Sequence, residues 1–299
     1  RRQRQMCIRD RGADNAASGK QKKEKTTESA LGVKPVTGSW INLAYKDVRN
    51  KYTNPQSFDN MDPKLWEAKV RELSAMGIEY LVLMEVANEG KSYYPSQIMP
   101  WWYNKDKKSP VDAILDEAAK HNMKIFMSSG WAKDQDDNLL DPAIKERQLQ
   151  IMEELASLYK NHKAFYGWYL PVEDCLCPIF AEHAVQSVNT LSEKAKKLAP
   201  GKKTLISPYG IGLSEFDNPE YEKQMQKLKV DIIAYQDEVG CVRDQFTLPR
   251  LKKNWQRLRD IHNRLNIEMW ANCETFTWEE GTNCLLYTSD AADEARSVD

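Results

Sequence analysis

Seven short apolar runs alternate with amphipathic segments between Val36 and Trp278, and this alternation restricts the fold more than any other feature of the chain. A strand covered on both faces reads as a nearly continuous apolar run, and parallel strands need a crossover between them, usually a helix. The expected strands are 37–43 (TGSWINL), 79–86 (EYLVLMEV), 124–129 (KIFMSS), 164–172 (AFYGWYLPV), 204–208, 231–236 and 268–273. Helices are expected to open at Asp62-Pro63, Ser109-Pro110 and Asp141-Pro142, where a capping side chain precedes a proline that fits the first turn. The segment 179–198 is expected as a further helix ending at Pro200-Gly201.

This pattern predicts an α/β fold, a (β/α)8 TIM barrel with no eighth strand visible before the chain changes character. An open doubly wound sheet is disfavoured. No glycine-rich phosphate turn follows the first strand, and successive strands end in polar and aromatic residues, as barrel strands do at their loop-bearing face. The chain has 299 residues, room for one such domain plus tails.

The two ends read as foreign to that domain. Residues 1–11 (RRQRQMCIRDR) are basic and carry neither helical nor strand period, and the last stretch (CLLYTSDAADEARSVD) follows an abrupt break after Glu280. Both resemble translated sequencing-adapter read-through at the ends of a metagenomic fragment. Residues 12–34 are rich in Lys, Glu, Ser, Thr and Ala, the composition of a disordered polar leader. The expected organisation is therefore 1–35 as non-native end plus leader, 36–281 as the barrel domain and 282–299 as a non-native tail. On this expectation the native termini lie elsewhere, and a further C-terminal domain could follow. The net charge of −1 gives no electrostatic reason to expect nucleic acid, and no apolar run reaches the length of a membrane span.

In a barrel the chemistry collects where strands enter the following loops. Those positions hold Trp40 and Asn42 after the first strand, Glu85 after the second, and Trp131 after the third. Tyr169 and Glu173 follow from the fourth, Tyr209 from the fifth, Gln236 and Asp237 from the sixth, and Asn272, Glu274 and Trp278 from the seventh. Seven of the nine tryptophans fall on strands or these loops, which favours an aromatic-lined cleft; Trp40, Trp131 and Trp278 divide between ligand platform and barrel packing. Trp101-Trp102-Tyr103 reads as a lid or an exposed patch. Trp270, Asn272 and Glu274 share one strand parity, and Tyr169, Pro171 and Glu173 share theirs, so each set faces one way. If both parities point inward, Glu173 and Glu274 face one another across the mouth. Two carboxyl groups about 5–5.5 Å apart suit glycosyl transfer with retention, and about 6.5–9.5 Å suit inversion.

Glutamates ending the fourth and seventh strands resemble the acid/base and nucleophile of the superfamily of retaining barrel glycoside hydrolases. With the stretches VTGSWINL, GWYLPVED, AYQDEVG and WANCETF, residues 36–278 are similar to the bacterial glycoside-hydrolase-like family called domain of unknown function 4434. The resemblance implies a TIM barrel, a carbohydrate substrate and export to the periplasm or cell surface. It also implies glycosidase activity by two carboxylates, Glu173 protonating the leaving oxygen and Glu274 attacking the anomeric carbon. The superfamily's acid/base typically follows an Asn that contacts the sugar 2-hydroxyl; here Val172 stands in that position. The alternative function is a non-catalytic glycan-binding barrel module of a larger carbohydrate-handling protein. Asp174, Asp237 and Glu238 are rivals for a catalytic role, Asp237 foremost, and Glu85 is expected as a ligand or pKa-tuning neighbour.

Rival chemistries lack their residues. Cys175, Cys177, Cys241 and Cys273 lie near the mouth, but Cys-x-Cys spacing does not match structural zinc sites. Export would permit a disulfide joining Cys175 or Cys177 to Cys241; unpaired half-buried thiols are the alternative. His121, His162, His183 and His262 fall on helices or helix ends and are expected far from the mouth, which argues against a metal-dependent amidohydrolase barrel and removes a Ser-His-Asp triad. No phosphate-cradling loop or Schiff-base lysine is visible. A carboxylate mechanism needing no cofactor and no metal remains.

Overall fold

The structure is a computed structural model, and it describes residues 7–9, 35–43, 62–131, 133, 137–240, 247–278 and 285–287, with backbone alone for 7–9, 276–278 and 285–287. In chain order the elements are β1 (Cys7–Arg9), β2 (Gly38–Ile41), α1 (Pro63–Ala75), β3 (Tyr80–Leu83), β4 (Ala87–Asn88), β5 (Lys91–Ser92), α2 (Pro110–Lys120), β6 (Lys124–Ser128) and α3 (Pro142–Tyr159). They continue as β7 (Phe165–Tyr169), α4 (Glu182–Leu198), β8 (Lys203–Ile206), α5 (Pro219–Lys227), β9 (Ile232–Gln236), α6 (Leu248–His262), β10 (Glu268–Asn272), β11 (Phe276–Trp278) and β12 (Leu285–Tyr287).

Local chemistry sets the helix starts. Asp62, Ser109, Asp141, Asn218 and Thr247 each accept a backbone N–H with their side chain, and each precedes a helix with proline in its first two positions. Among the described helices, only α4 begins without such a cap, at Ala181.

The strands β2, β3, β6, β7, β8, β9 and β10 form one parallel sheet in that order. The sheet is curled. In a flat sheet with strands about 4.8 Å apart, β3 and β10 would be separated by about 24 Å; here Tyr80 of β3 and Trp270 of β10 meet with ring centroids 5.1 Å apart. Trp40 of β2 likewise meets Tyr169 of β7 edge-on at 6.4 Å. The interior holds Trp40, Tyr80, Val82, Met84, Phe126, Trp131, Tyr169, Leu205, Ile232, Ala234 and Trp270, and a second core lies between sheet and helices. Parallel strands, intervening helices and a filled interior make this a TIM-barrel fold.

Alternation along β7 is broken once. Phe165 and Trp168 face the helices while Tyr166 and Tyr169 face the interior, because the register with β6 shifts at a bulge after Phe165. Gly167 sits at that bulge, and a Cβ there would lie 2.6 Å from both the Lys203 carbonyl oxygen and the Phe126 ring.

Beside the seven parallel strands, Cys7–Arg9 pairs antiparallel with β10, Cys7 opposite Asn272, and lies next to β2. The sequence gives residues 1–11 no strand period, yet an open edge such as that of β10 offers unpaired N–H and C=O groups to any extended segment. Leu285–Tyr287, within the expected tail, pairs antiparallel with Phe276–Trp278. The hairpin β4–β5 turns through Glu89 and Gly90, both at positive φ (49° and 68°), as a two-residue turn of this hand requires.

Candidate active site

Above the aromatic interior lies a polar layer at the C-terminal ends of the strands. Ser207, Gln236 and Asn272 extend the inward parities of β8, β9 and β10, and each is fully buried. Asn272 Nδ2 donates to Ser207 Oγ (2.9 Å), Ser207 Oγ donates to the Ala234 carbonyl (2.8 Å), and Gln236 Nε2 donates to the Ser207 carbonyl (2.6 Å). Gln236 and Asn272 therefore brace the floor of the mouth. At this level, Trp40 Nε1, Asn42 Oδ1 and Asn272 Oδ1 are buried and have no hydrogen-bond partner among the described residues. Buried polar atoms are nearly always paired, so a floor that leaves several unpaired is suited to a polar ligand.

Glu173 and Glu274 leave the sheet over this floor. The hydroxyl of interior Tyr169 donates to Glu173 Oε1 at 3.3 Å, which ties the fourth-strand glutamate to the inward parity expected of it. At the seventh strand, the Glu274 N–H donates to Asp237 Oδ1 at 2.9 Å, and Val239 N–H adds a second donation at 3.2 Å. The Asp237 N–H in turn donates to the Asn272 carbonyl (3.0 Å), so β9 and β10 are laced together where Glu274 emerges. Burial pushes the Asp237 carboxyl up to about 6, the two backbone donors pull it back in part, and the nearby Glu274 carboxylate adds to the rise. Burial and the Asp237 charge push the adjoining Cys273 thiol up to about 12.

The remaining expected residues separate into distinct roles. Trp40 is 2% exposed and edge-packed on Tyr169, so its ring is packing, with only its Nε1 unengaged by the protein. Glu85 is buried and accepts the Leu43 N–H at 2.8 Å, which clamps the exit of β2 to that of β3. Tyr209 bridges by its backbone to the loop after β7, accepting from Leu176 N–H at 2.8 Å. Trp131 lines a cavity that also includes Val172 and Glu173. The Trp278 side chain and Cys241 lie outside the described residues. Trp101 and Trp102 are fixed by Nε1 donations to the Ser96 and Asn88 carbonyls and stack on Tyr103 and Tyr93, a packed loop in place of an open patch.

Two expectations need correction. Glu238 is no free rival, because it is buried at positive φ (56°) and accepts the Gly210 N–H at 2.6 Å. His183 is not far from the mouth: its Nε2 lies 2.7 Å from Asp174 Oδ2, and it lines the cavity that contains Glu173. A helix following a strand runs back along it, so its first turn lies at the mouth, and His183 is the second residue of α4. Cys175, Cys177 and Cys273 are free thiols, and among the described residues no group of three or more His, Cys, Asp or Glu is arranged to hold a metal. No described helix is long and apolar enough to cross a membrane.

The parallel strands, their intervening helices and the filled interior define the chain as a TIM barrel. The model of DUF4434, a domain of unknown function, matches residues 36–294, past the boundary at 281 expected from the sequence, and the chain belongs to that family. No curated protein matches it. Among solved structures, a candidate alpha-L-fucosidase from Bacteroides thetaiotaomicron VPI-5482 is similar with a TM-score of 0.64 at 18% identity, over 94% of this chain and 88% of that one. An intracellular xylanase from Thermoanaerobacterium saccharolyticum JW/SL-YS485 gives a TM-score of 0.48 at 16% identity, over 79% and 76% of the two chains. A glycoside hydrolase family 5 mannosidase from Rhizomucor miehei gives 0.46 at 15%, over 68% and 61%.

Proposed function

We propose that this protein is a glycoside hydrolase that cleaves an oligosaccharide or polysaccharide with two carboxylates, Glu173 as proton donor and Glu274 as nucleophile, with retention. The observation that carries this reading is the shared floor. Both glutamates emerge from inward-facing positions above a buried polar layer whose Trp40, Asn42 and Asn272 leave hydrogen-bonding atoms for a ligand. Asp237 holds the Glu274 backbone in place by accepting its N–H. Tyr169 donates to Glu173 and orients it.

The test is hydrolysis of a glycan panel by the wild type, Glu173→Gln and Glu274→Gln. Each substitution is expected to lower turnover at least about a hundredfold with an unchanged circular dichroism spectrum. Turnover retained in both single variants overturns the assignment. A second reading, a glycan-binding barrel without turnover, has one observation in its favour. Val172 packs against the core beside Glu173 and offers methyl groups where a sugar 2-hydroxyl would need an amide. It predicts binding without hydrolysis in the wild type itself.

A further inference from the structure

A cavity of about 360 Å³ lies beside the mouth, between the loop after β6 and the helices α3 and α4. Its size is at the lower end of pockets that hold small molecules. Trp131, Asp137, Gln148, Glu173, Asp174 and His183 are among the residues that line it. Glu173 is common to the cavity and the mouth.

Gln148 is the unexplained group. It is 2% exposed, and its Oε1 is buried with no hydrogen-bond partner among the described residues. Such an amide destabilises a fold unless something else satisfies it. An amide oxygen only accepts, so the missing partner must donate, as a hydroxyl does. Trp131 supplies an apolar wall on the same cavity, at 8% exposure. Among the described lining residues the charge is one-sided: three carboxylates, Asp137, Glu173 and Asp174, accompany one imidazole, and His183 is engaged by Asp174 at 2.7 Å. A uronate, sulfate or phosphate group would bring negative charge and acceptors where the site needs neutrality and donors.

We infer that this cavity is the subsite for an uncharged, hydroxyl-bearing sugar ring on the flank of Glu173, with Gln148 accepting one of its hydroxyls, and that it selects neutral over acidic glycans. The inference rests on the glycosidase reading and names its substrate class.

Calorimetric titration of the Glu274→Gln protein separates binding from hydrolysis. Xylotriose, cellotriose, mannotriose and trigalacturonic acid are the probes. At least one neutral trisaccharide is expected to bind, and trigalacturonic acid at least about tenfold more weakly. Adding Gln148→Leu is expected to weaken neutral binding about tenfold, as loss of a hydrogen bond with its partner left buried does. The same change should raise the thermal midpoint, because it removes an unsatisfied buried amide; a residue with a purely structural role would not give that combination. Equal affinity for the acidic trisaccharide, no binding of any neutral one, or unchanged affinity in Gln148→Leu overturns the inference. Hydrolysis retained by both glutamate variants would instead sink the catalytic assignment and leave these binding results standing.

Discussion

Asp237 allows the electrostatics of the site to be measured without knowing the substrate. Its carboxyl titrates at about 6 in the folded protein against an ordinary 3.8, with burial the dominant cause. Between those two pH values the folded state binds the proton that the unfolded state has lost, so stability falls as pH rises. The fall begins near pH 4, is complete somewhat above pH 6, and is absent at more acid pH. At 1.36 kcal/mol for each tenfold change in proton affinity, the ionised Asp237 costs about 3 kcal/mol at pH 7.5. Asp237→Asn keeps an oxygen to accept from Glu274 and Val239 N–H groups but carries no charge at any pH. Weakening those two bonds offsets the gain by about 1 kcal/mol. The variant should therefore trail the wild type by about 1 kcal/mol at pH 4 and exceed it by about 2 kcal/mol at pH 7.5. Urea unfolding of both proteins at pH 4, 5, 6 and 7.5 gives the difference directly. A difference that stays flat across this range, or a variant that falls behind as pH rises, refutes the account of Asp237 as a charge held against its burial. Turnover should survive the substitution if Glu173 is the proton donor; abolished turnover would transfer that role to Asp237.

Gly167→Ala is expected to destabilise by about 3 kcal/mol, since the new methyl meets a backbone carbonyl and a packed ring at 2.6 Å. A fall of roughly 6–12 °C in the thermal midpoint would report it. Glu117 is buried on α2 and bound by Lys120, Arg71 and His121, which hold its carboxyl down at about 2. Its stabilisation is present above the ordinary carboxylate range and is lost as pH falls toward 2. Glu117→Gln should cost about 1–2 kcal/mol at pH 7, after screening around the half-exposed partners, and progressively less below pH 4 in urea unfolding.

The barrel was legible because its strands are covered on both faces and their apolar runs stand out against polar helices. The errors of detail have local causes. The fourth strand was expected to reach Val172, yet it ends at Tyr169, since Pro171 has no N–H to give the ladder and only Leu170 continues the pairing, to Leu205. The inward parity of Glu173 could be counted back to Tyr169 but no further, because the bulge before Gly167 reverses the alternation. The hairpin β4–β5 has no turn signature in the sequence, because Glu89 occupies a positive-φ turn position where Asn, Asp or Gly is the usual signal. Cys7–Arg9 carries no period of its own, and its pairing is imposed by the edge of β10.

The site was half legible, and the missing half follows from barrel geometry. Counting strand ends picks out Glu173, Glu274 and Asp237 as candidates, because those loops converge by construction. The same count places every histidine far from the mouth because each lies on a helix or at its end, which treats the two ends of a helix as equivalent. They are not: each helix runs antiparallel to the strand before it, so its first turns rise beside the mouth and its last turn lies at the opposite face. His121, His162 and His262 sit at helix C-terminal ends and belong to that far face. His183 opens α4, and Gln148 lies in the second turn of α3, so both reach the cavity next to Glu173. No local pattern marks Gln148, since an amide on a helix is ordinary until its burial and its lack of a partner are seen together. Gln148 and His183 thus reach the cavity from helices, while Glu173 reaches it from a strand end.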